Sequence, residues 1–264
     1  MTYQRHRVAV VTGAARGIGA ATVHRLAKDG WRVVAVDACR DDPDVDYPLG
    51  TRAELDAVCA RHDGLVLPHE ADVRSAAALA DAVRLALDTF GGLDAAVAGA
   101  AVMAGGQEAW RETDRTWRVL LDVDLFGVLN LARAAVPALL QRPEPRTGRF
   151  VAIASVAADR GLWRLSAYTA AKHAVLGLVR GLAADLRGTG VTATAVSPGS
   201  TDTAMLRATA GLYEVPEVGD FAAHQLIGRL IDPAEVAAAI GWLCSAEAGA
   251  VTGSVVQVDG GFTG

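Results

Sequence analysis

Cysteine is scarce in this chain of 264 residues, with Cys39, Cys59 and Cys244 the three present. An odd count without metal-ligand spacing points to neither a disulfide framework nor a metal centre, and the three read as reduced cytosolic thiols. Long apolar runs are also missing. The longest near-continuous stretch, Ala95 to Gly106, falls far short of the ~20 residues that span a bilayer. The N-terminus carries no apolar signal core, so a soluble, cytoplasmic protein is expected, with no membrane partner. No block of like charge marks a tail or a membrane-binding surface. With a net charge of −5 the chain does not suit nucleic acid as a partner. Linkers, internal repeats and low-complexity tracts are absent too.

What remains is rich in apolar residues and glycine: 52% hydrophobic, enough for a sheet buried on both faces, and 28 glycines. Strand and helix patterns alternate along the chain. They predict one α/β domain over 1–264, a Rossmann-type doubly wound parallel sheet of about seven strands with helices on both faces. Strands are expected at Arg7 to Val11, Arg32 to Val36, Gly64 to Pro68, Asp94 to Ala98, Gly148 to Ala154, Val191 to Ser197 and Ser254 to Val258. One long helix is expected from about Glu112 to Leu140. Another starts at Asp232-Pro233-Ala234-Glu235, where an N-cap, a first-turn proline and a reaching carboxylate coincide.

The first strand runs into Thr12-Gly13-Ala14-Ala15-Arg16-Gly17-Ile18-Gly19, followed by a helical pattern that ends near Asp29-Gly30. Strand, glycine turn and helix is the context a dinucleotide requires. Glycines let the backbone approach a pyrophosphate, and the helix N-terminus offers free N–H groups and partial positive charge. The second strand ends in Asp37, eighteen residues after Gly19. A carboxylate there accepts from ribose hydroxyls and repels a 2′-phosphate, favouring NAD over NADP. Arg16 cuts the other way, because a basic residue in the loop suits a 2′-phosphate.

Tyr168 and Lys172 stand four residues apart, with Ser155 thirteen residues upstream of the tyrosine on another element. On a helix four residues make about one turn, so phenol and ammonium share a face. The ammonium is expected to lower the phenol pKa, preparing it to exchange a proton with an alcohol or carbonyl oxygen that Ser155 holds. Taken alone, such a pair is more often a solvated helix surface. The glycine loop reverses that reading.

With these motifs, and with Asp72-Val73, Pro198-Gly199 followed by Thr203, and Val258-Asp259-Gly260-Gly261, the chain resembles the short-chain dehydrogenase/reductase family from about Arg7 to its C-terminus. The resemblance implies that Tyr168 is the general acid/base, that Ser155 orients the substrate oxygen, and that Lys172 binds the nicotinamide ribose. It puts Gly13, Arg16, Gly17, Ile18, Gly19 and Asp37 on the cofactor, Asp72 and Val73 at the adenine, and Pro198, Gly199, Thr201 and Thr203 at the carboxamide. Two positions depart from the family pattern. Gly99-Ala100-Ala101 stands where Asn-Ala-Gly is usual, and Asp124 replaces the catalytic asparagine before Leu125-Phe126-Gly127. In relatives the backbone carbonyl of that asparagine holds a water of a proton chain. A carboxylate at the same place adds charge near Lys172 and weakens the ammonium's hold on Tyr168.

The segment after Asp37, with Ala38-Cys39, the acidic residues Asp41, Asp42, Asp44 and Asp46, and Tyr47-Pro48-Leu49-Gly50-Thr51, is longer than a simple connection. It resembles the insertion of the mycofactocin-associated branch of the family. That implies a loop over the cofactor and NAD reoxidised in place by an external redox carrier. Substrate identity is expected to come from a lid over about 203–231, with Met205, Leu206, Leu212, Tyr213, Val215, Pro216, Phe221 and Leu226, facing Leu162 and Trp163. Such a lid suits a small apolar alcohol or its carbonyl. The resemblance also implies a homotetramer, covering apolar residues around Trp242, Val255 and Val256. Two other readings stay open: an NADPH-dependent carbonyl or 3-oxoacyl reductase, and a cofactor-binding regulatory protein with lost activity.

Overall fold

The computed structural model describes residues 6–264; the first five residues of the N-terminus, where no signal core is expected, lie outside the described residues. Seven parallel strands form one sheet in the order β3-β2-β1-β4-β5-β6-β7. They are β1 (Val8–Thr12), β2 (Arg32–Asp37), β3 (Val66–Glu70), β4 (Ala95–Ala98), β5 (Arg149–Ile153), β6 (Thr192–Pro198) and β7 (Val255–Val258). The central strands are rich in Val and Ala because both faces are covered, and β1, β4 and β5 are buried at every position. One face packs against α3 (Ala76–Phe90), α5 (Gly127–Leu140) and α6 (Ser166–Asp185); the other packs against α1 (Gly17–Lys28) and α8 (Pro233–Cys244). Strand order reverses between β1 and β4. Ligands of such sheets bind at that switch point, outside the carboxyl ends of the strands.

Local chemistry fixes several boundaries. Thr51 and Glu54 form a reciprocal capping box at the start of α2 (Arg52–Cys59), and Asp232 with Glu235 does the same for α8, whose first residue is Pro233. The third strand begins at Val66 and reaches Glu70, two residues beyond the run read from sequence, pairing Asp37 with Glu70. The long helix expected from Glu112 to Leu140 is interrupted. It comprises α4 (Asp114–Leu120), a π turn over Leu121–Phe126, and α5. Gly127 closes the π turn by donating its N–H to Asp122 O; a Cβ here would lie 2.6 Å from Val73 Cγ2, so only glycine fits this crossing. Asp124 lies within this turn and is fully buried.

The segment 203–231 is not irregular. Thr203 caps α7 (Ala204–Leu212) by accepting from Leu206 N, and a 3₁₀ turn follows over Val218–His224. No helix among the described residues is long and apolar enough to cross a membrane.

Candidate active site

The glycine loop makes a cradle that side chains would fill. Gly13 has φ +70°, and a Cβ on it would meet Ala100 Cα at 2.7 Å; a Cβ on Gly19 would sit 1.9 Å from Gly13 O. Arg16 takes the N-cap position of α1 without providing a side-chain cap, leaving the first N–H groups of the helix for a ligand. A cradle with this close backbone approach and a free helix N-terminus fits a dinucleotide. It opens into a cleft of about 670 Å³ lined by Gly13, Arg16, Gly17, Ile18, Gly19, Asp37, Asp72, Val73, Ser155, Tyr168, Lys172, Pro198, Gly199, Thr201 and Thr203, so every cofactor residue read from sequence meets there. Asp124 stands behind that wall.

Around Asp37 the chain is tightly tied. Its carboxylate accepts from Ala15 N at 3.0 Å and from Cys39 N at 3.2 Å. The segment 38–51, hereafter the strap, crosses back over it, and a Cβ on Gly50 would lie 2.9 Å from Asp37 Oδ1. Arg16, read as able to meet a 2′-phosphate, donates instead to Pro48 O of the strap at 2.5 Å. Asp72 pairs with Arg74 at 2.5 Å and with Arg40 at 2.7 Å, while Arg74 also reaches Asp42 at 2.7 Å. Burial pushes the Asp72 carboxyl up, but the hydrogen bonds from Arg74 and Arg40 outweigh it and hold the pKa at about 2. Arg115 pairs with Asp44. Asp42 and Asp44 therefore anchor the strap, with the guanidiniums of Arg74 and Arg115 from two separate segments as their partners. At the far end Tyr47 Oη accepts from Met103 N at 3.1 Å, placing the phenol in the cleft.

The reactive trio sits opposite. Ser155 follows β5 and caps a short 3₁₀ turn, accepting from Ala157 N at 3.1 Å. Tyr168 lies in the first turn of α6, and Lys172 one turn later; the ammonium is 5.5 Å from the centre of the phenol ring and 3.4 Å from Ile153 O. Ser155 and Tyr168 line the same cleft. The structure differs from sequence expectation in the phenol's acidity. Burial raises the Tyr168 pKa; Lys172 pulls it down, Asp124 pushes it up again, Ser155 favours the ionised form, and the net direction is upward. Burial is the largest influence and outweighs the ammonium; Asp124, whose Oδ2 lies 3.1 Å from Lys172 Nζ, adds to it in the same direction.

Where the family has asparagine, Gly99 leaves no room for a side chain: a Cβ would lie 2.8 Å from Thr12 O. Thr12 Oγ1 instead accepts from Gly99 N at 3.1 Å and Ala100 N at 3.2 Å. Asn130, which sequence reasoning missed, holds the Asp72-Val73 segment by donating to Val73 O at 3.0 Å. Pro198-Gly199 packs on the C-terminal motif; Gly199 N donates to Val258 O at 3.1 Å, and a Cβ on Gly199 would meet Asp259 O at 2.6 Å.

The apolar side of the cleft is lined by Leu162, Trp163, Met205, Leu206, Tyr213, Val215 and Phe221, as expected, and by His224 and Phe262, which were not. Leu212, Pro216 and Leu226 do not line it. Leu212 packs on the core, and Leu226 is 83% exposed. Trp163, Tyr213, Phe221, His224 and Phe262 form a chain of ring contacts with centroids 5.7–6.4 Å apart.

A parallel sheet with its glycine cradle at the switch point, joined to a Ser, Tyr and Lys trio on the same edge, defines a nucleotide-dependent oxidoreductase. Residues 13–263 match the family described as "Enoyl-(Acyl carrier protein) reductase". The chain belongs to the short-chain dehydrogenase/reductase family. It is 40% identical over 259 residues to cis-4-hydroxycyclohexanecarboxylate dehydrogenase of Sinomonas cyclohexanicum, covering 97% of this chain and 96% of that relative. It is 34% identical to (-)-trans-carveol dehydrogenase of Rhodococcus erythropolis, covering 97% of each. In structure it resembles carveol dehydrogenase from Mycobacterium avium in complex with NAD, with a TM-score of 0.91 at 29% identity over 97% of each chain.

Proposed function

We propose that the protein is an NAD-dependent alcohol dehydrogenase that oxidises a small, largely apolar alcohol to its carbonyl. The observation that carries this reading is the convergence of the glycine cradle, Asp37 and the Ser155, Tyr168 and Lys172 trio on one cleft with an apolar far wall. Relatives whose names are those of carveol and hydroxycyclohexanecarboxylate dehydrogenases support cyclic alcohols as the substrate class.

NAD, when bound, supplies the hydride acceptor and brings a cationic ring into the pocket. Ser155 and Tyr168 hold the alcohol oxygen, and Tyr168 takes its proton as the carbon gives up hydride. Lys172 holds the nicotinamide ribose and offsets the phenolate charge. Asp37 accepts from the adenosine ribose hydroxyls and disfavours a 2′-phosphate. Asp72-Val73 frames the adenine, and the Pro198 to Thr203 segment frames the carboxamide. The segment 203–231, with α7 at its centre, is the substrate lid. The strap, pinned at Pro48, Asp42, Asp44 and Tyr47, holds NAD through turnover so that an external carrier of the mycofactocin type reoxidises it. A homotetramer covers β7 and the half-exposed Trp242.

Arg16 and Arg40 in the cleft favour the NADPH-dependent reductase as the second reading. The engagement of Arg16 with Pro48 and of Arg40 with Asp72 weighs against it. Denaturing the purified protein and identifying the released nucleotide separates the two. Co-purified NAD that does not exchange supports a strapped dehydrogenase; an empty protein that takes up NADPH supports the reductase.

A further inference from the structure

Behind the reactive trio lies a carboxylate that neither the cradle nor the trio requires. Asp124 is 0% exposed and its partner Lys172 2% exposed. Its two oxygens are used differently. Oδ1 accepts from Val102 N at 2.9 Å, fixing the chain just beyond β4, while Oδ2 forms an ion pair with Lys172 Nζ at 3.1 Å. Charges removed from water this completely are tolerated only when paired. The partners come from separate elements, Asp124 from the π turn and Lys172 from α6.

We propose that Asp124 is a positioning residue that clamps the Lys172 ammonium and thereby raises the pH range in which Tyr168 ionises. This rests on the reading of Tyr168 as the proton-transfer group. The other titratable group facing the pair is Tyr47 from the strap, which Arg16 in turn faces; Ser155 contributes a hydroxyl at the end of β5. Lys172 and Tyr168 both come from α6, so the carboxylate that opposes the ammonium enters from the π turn alone. An amide at position 124 keeps an acceptor for Val102 N but removes the charge. The full positive charge of Lys172 then acts on the phenol.

The test is a spectroscopic titration of the full chain. Phenolate absorbance is followed against pH, and the curve of the matching Tyr168→Phe protein is subtracted to isolate Tyr168. In an Asp124→Asn background, the midpoint is expected about one pH unit below that in the natural background. An unchanged or higher midpoint overturns the proposal. Asp124→Ser carries the same expectation if the amide does not fold. Should neither variant fold, the natural chain is read in one direction: a midpoint at or below the ordinary tyrosine value of ~10 overturns the clamp. In oxidation of cyclohexanol with NAD, the rising limb of kcat/KM should move down with the same variant. Absence of any turnover in the natural protein counts against the dehydrogenase reading, while the titration still judges Asp124.

Discussion

At the scale of the residue, a few atoms divide the labour in the cleft. Tyr168→Phe removes only an oxygen, so nucleotide binding should persist while turnover falls by at least about 10²-fold, as for loss of a general acid/base; unchanged turnover measured by nicotinamide absorbance would take Tyr168 out of the mechanism. Asp37 is expected to act on selectivity. Asp37→Ala should shift the ratio of NAD to NADP affinity toward NADP, read by fluorescence titration of each nucleotide, and an unmoved ratio contradicts its role. Much of this chemistry was legible in the chain, because Gly13, Gly17, Gly19, Ser155, Tyr168 and Lys172 carry their geometry in their spacing. The net acidity of Tyr168 was not. It depends on Asp124 meeting Lys172 across a distance of 48 residues, with both buried, and sequence holds no measure of burial.

Among the elements, the strap and the π turn carry what is particular to this chain. The seven strands were readable from alternating apolar runs, and α8 from its cap. The π turn was not, since Leu121 to Phe126 continues the helical pattern on either side and only the crossing at Val73 reveals the extra residue. α7 was overlooked although Thr203 signals its start, because apolar residues there suited a lid as well as a helix. The strap's length was visible, but its anchors Arg74 and Arg115 lie far along the chain from Asp42 and Asp44. Tyr47→Phe removes the acceptor for the Met103 amide at the tip of the strap. Release of bound NAD, measured by exchange against labelled nucleotide, should then become faster by about five- to ten-fold, corresponding to a lost hydrogen bond of about 1 kcal/mol. Equal exchange rates would show that the tip does not retain the nucleotide.

For the whole molecule, the ion pairs around the strap give stability a definite pH sign. The hydrogen bonds from Arg74 and Arg40 hold the Asp72 carboxyl well below the usual carboxylate range, at about 2 in the folded chain. A carboxyl depressed on folding contributes stability that is present above its unfolded value and is lost as pH falls through the folded one. The thermal midpoint should therefore drop between about pH 4 and pH 2, and Arg74→Ala, which removes the main partner of Asp72, should flatten that part of the curve. A calorimetric profile with the same slope in both proteins would show that this pairing is not what acid undoes.

The strap is wired to four distant parts of the chain: Arg16 in the glycine loop, Arg74 after β3, Met103 after β4 and Arg115 in α4. It is thus no portable module. Grafted onto a related scaffold without those partners it would arrive with Asp42 and Asp44 unneutralised, and excised from this one it would strand the guanidiniums of Arg16 and Arg115 and the Met103 amide. An engineer who wants the behaviour of this loop must transplant its sockets along with it.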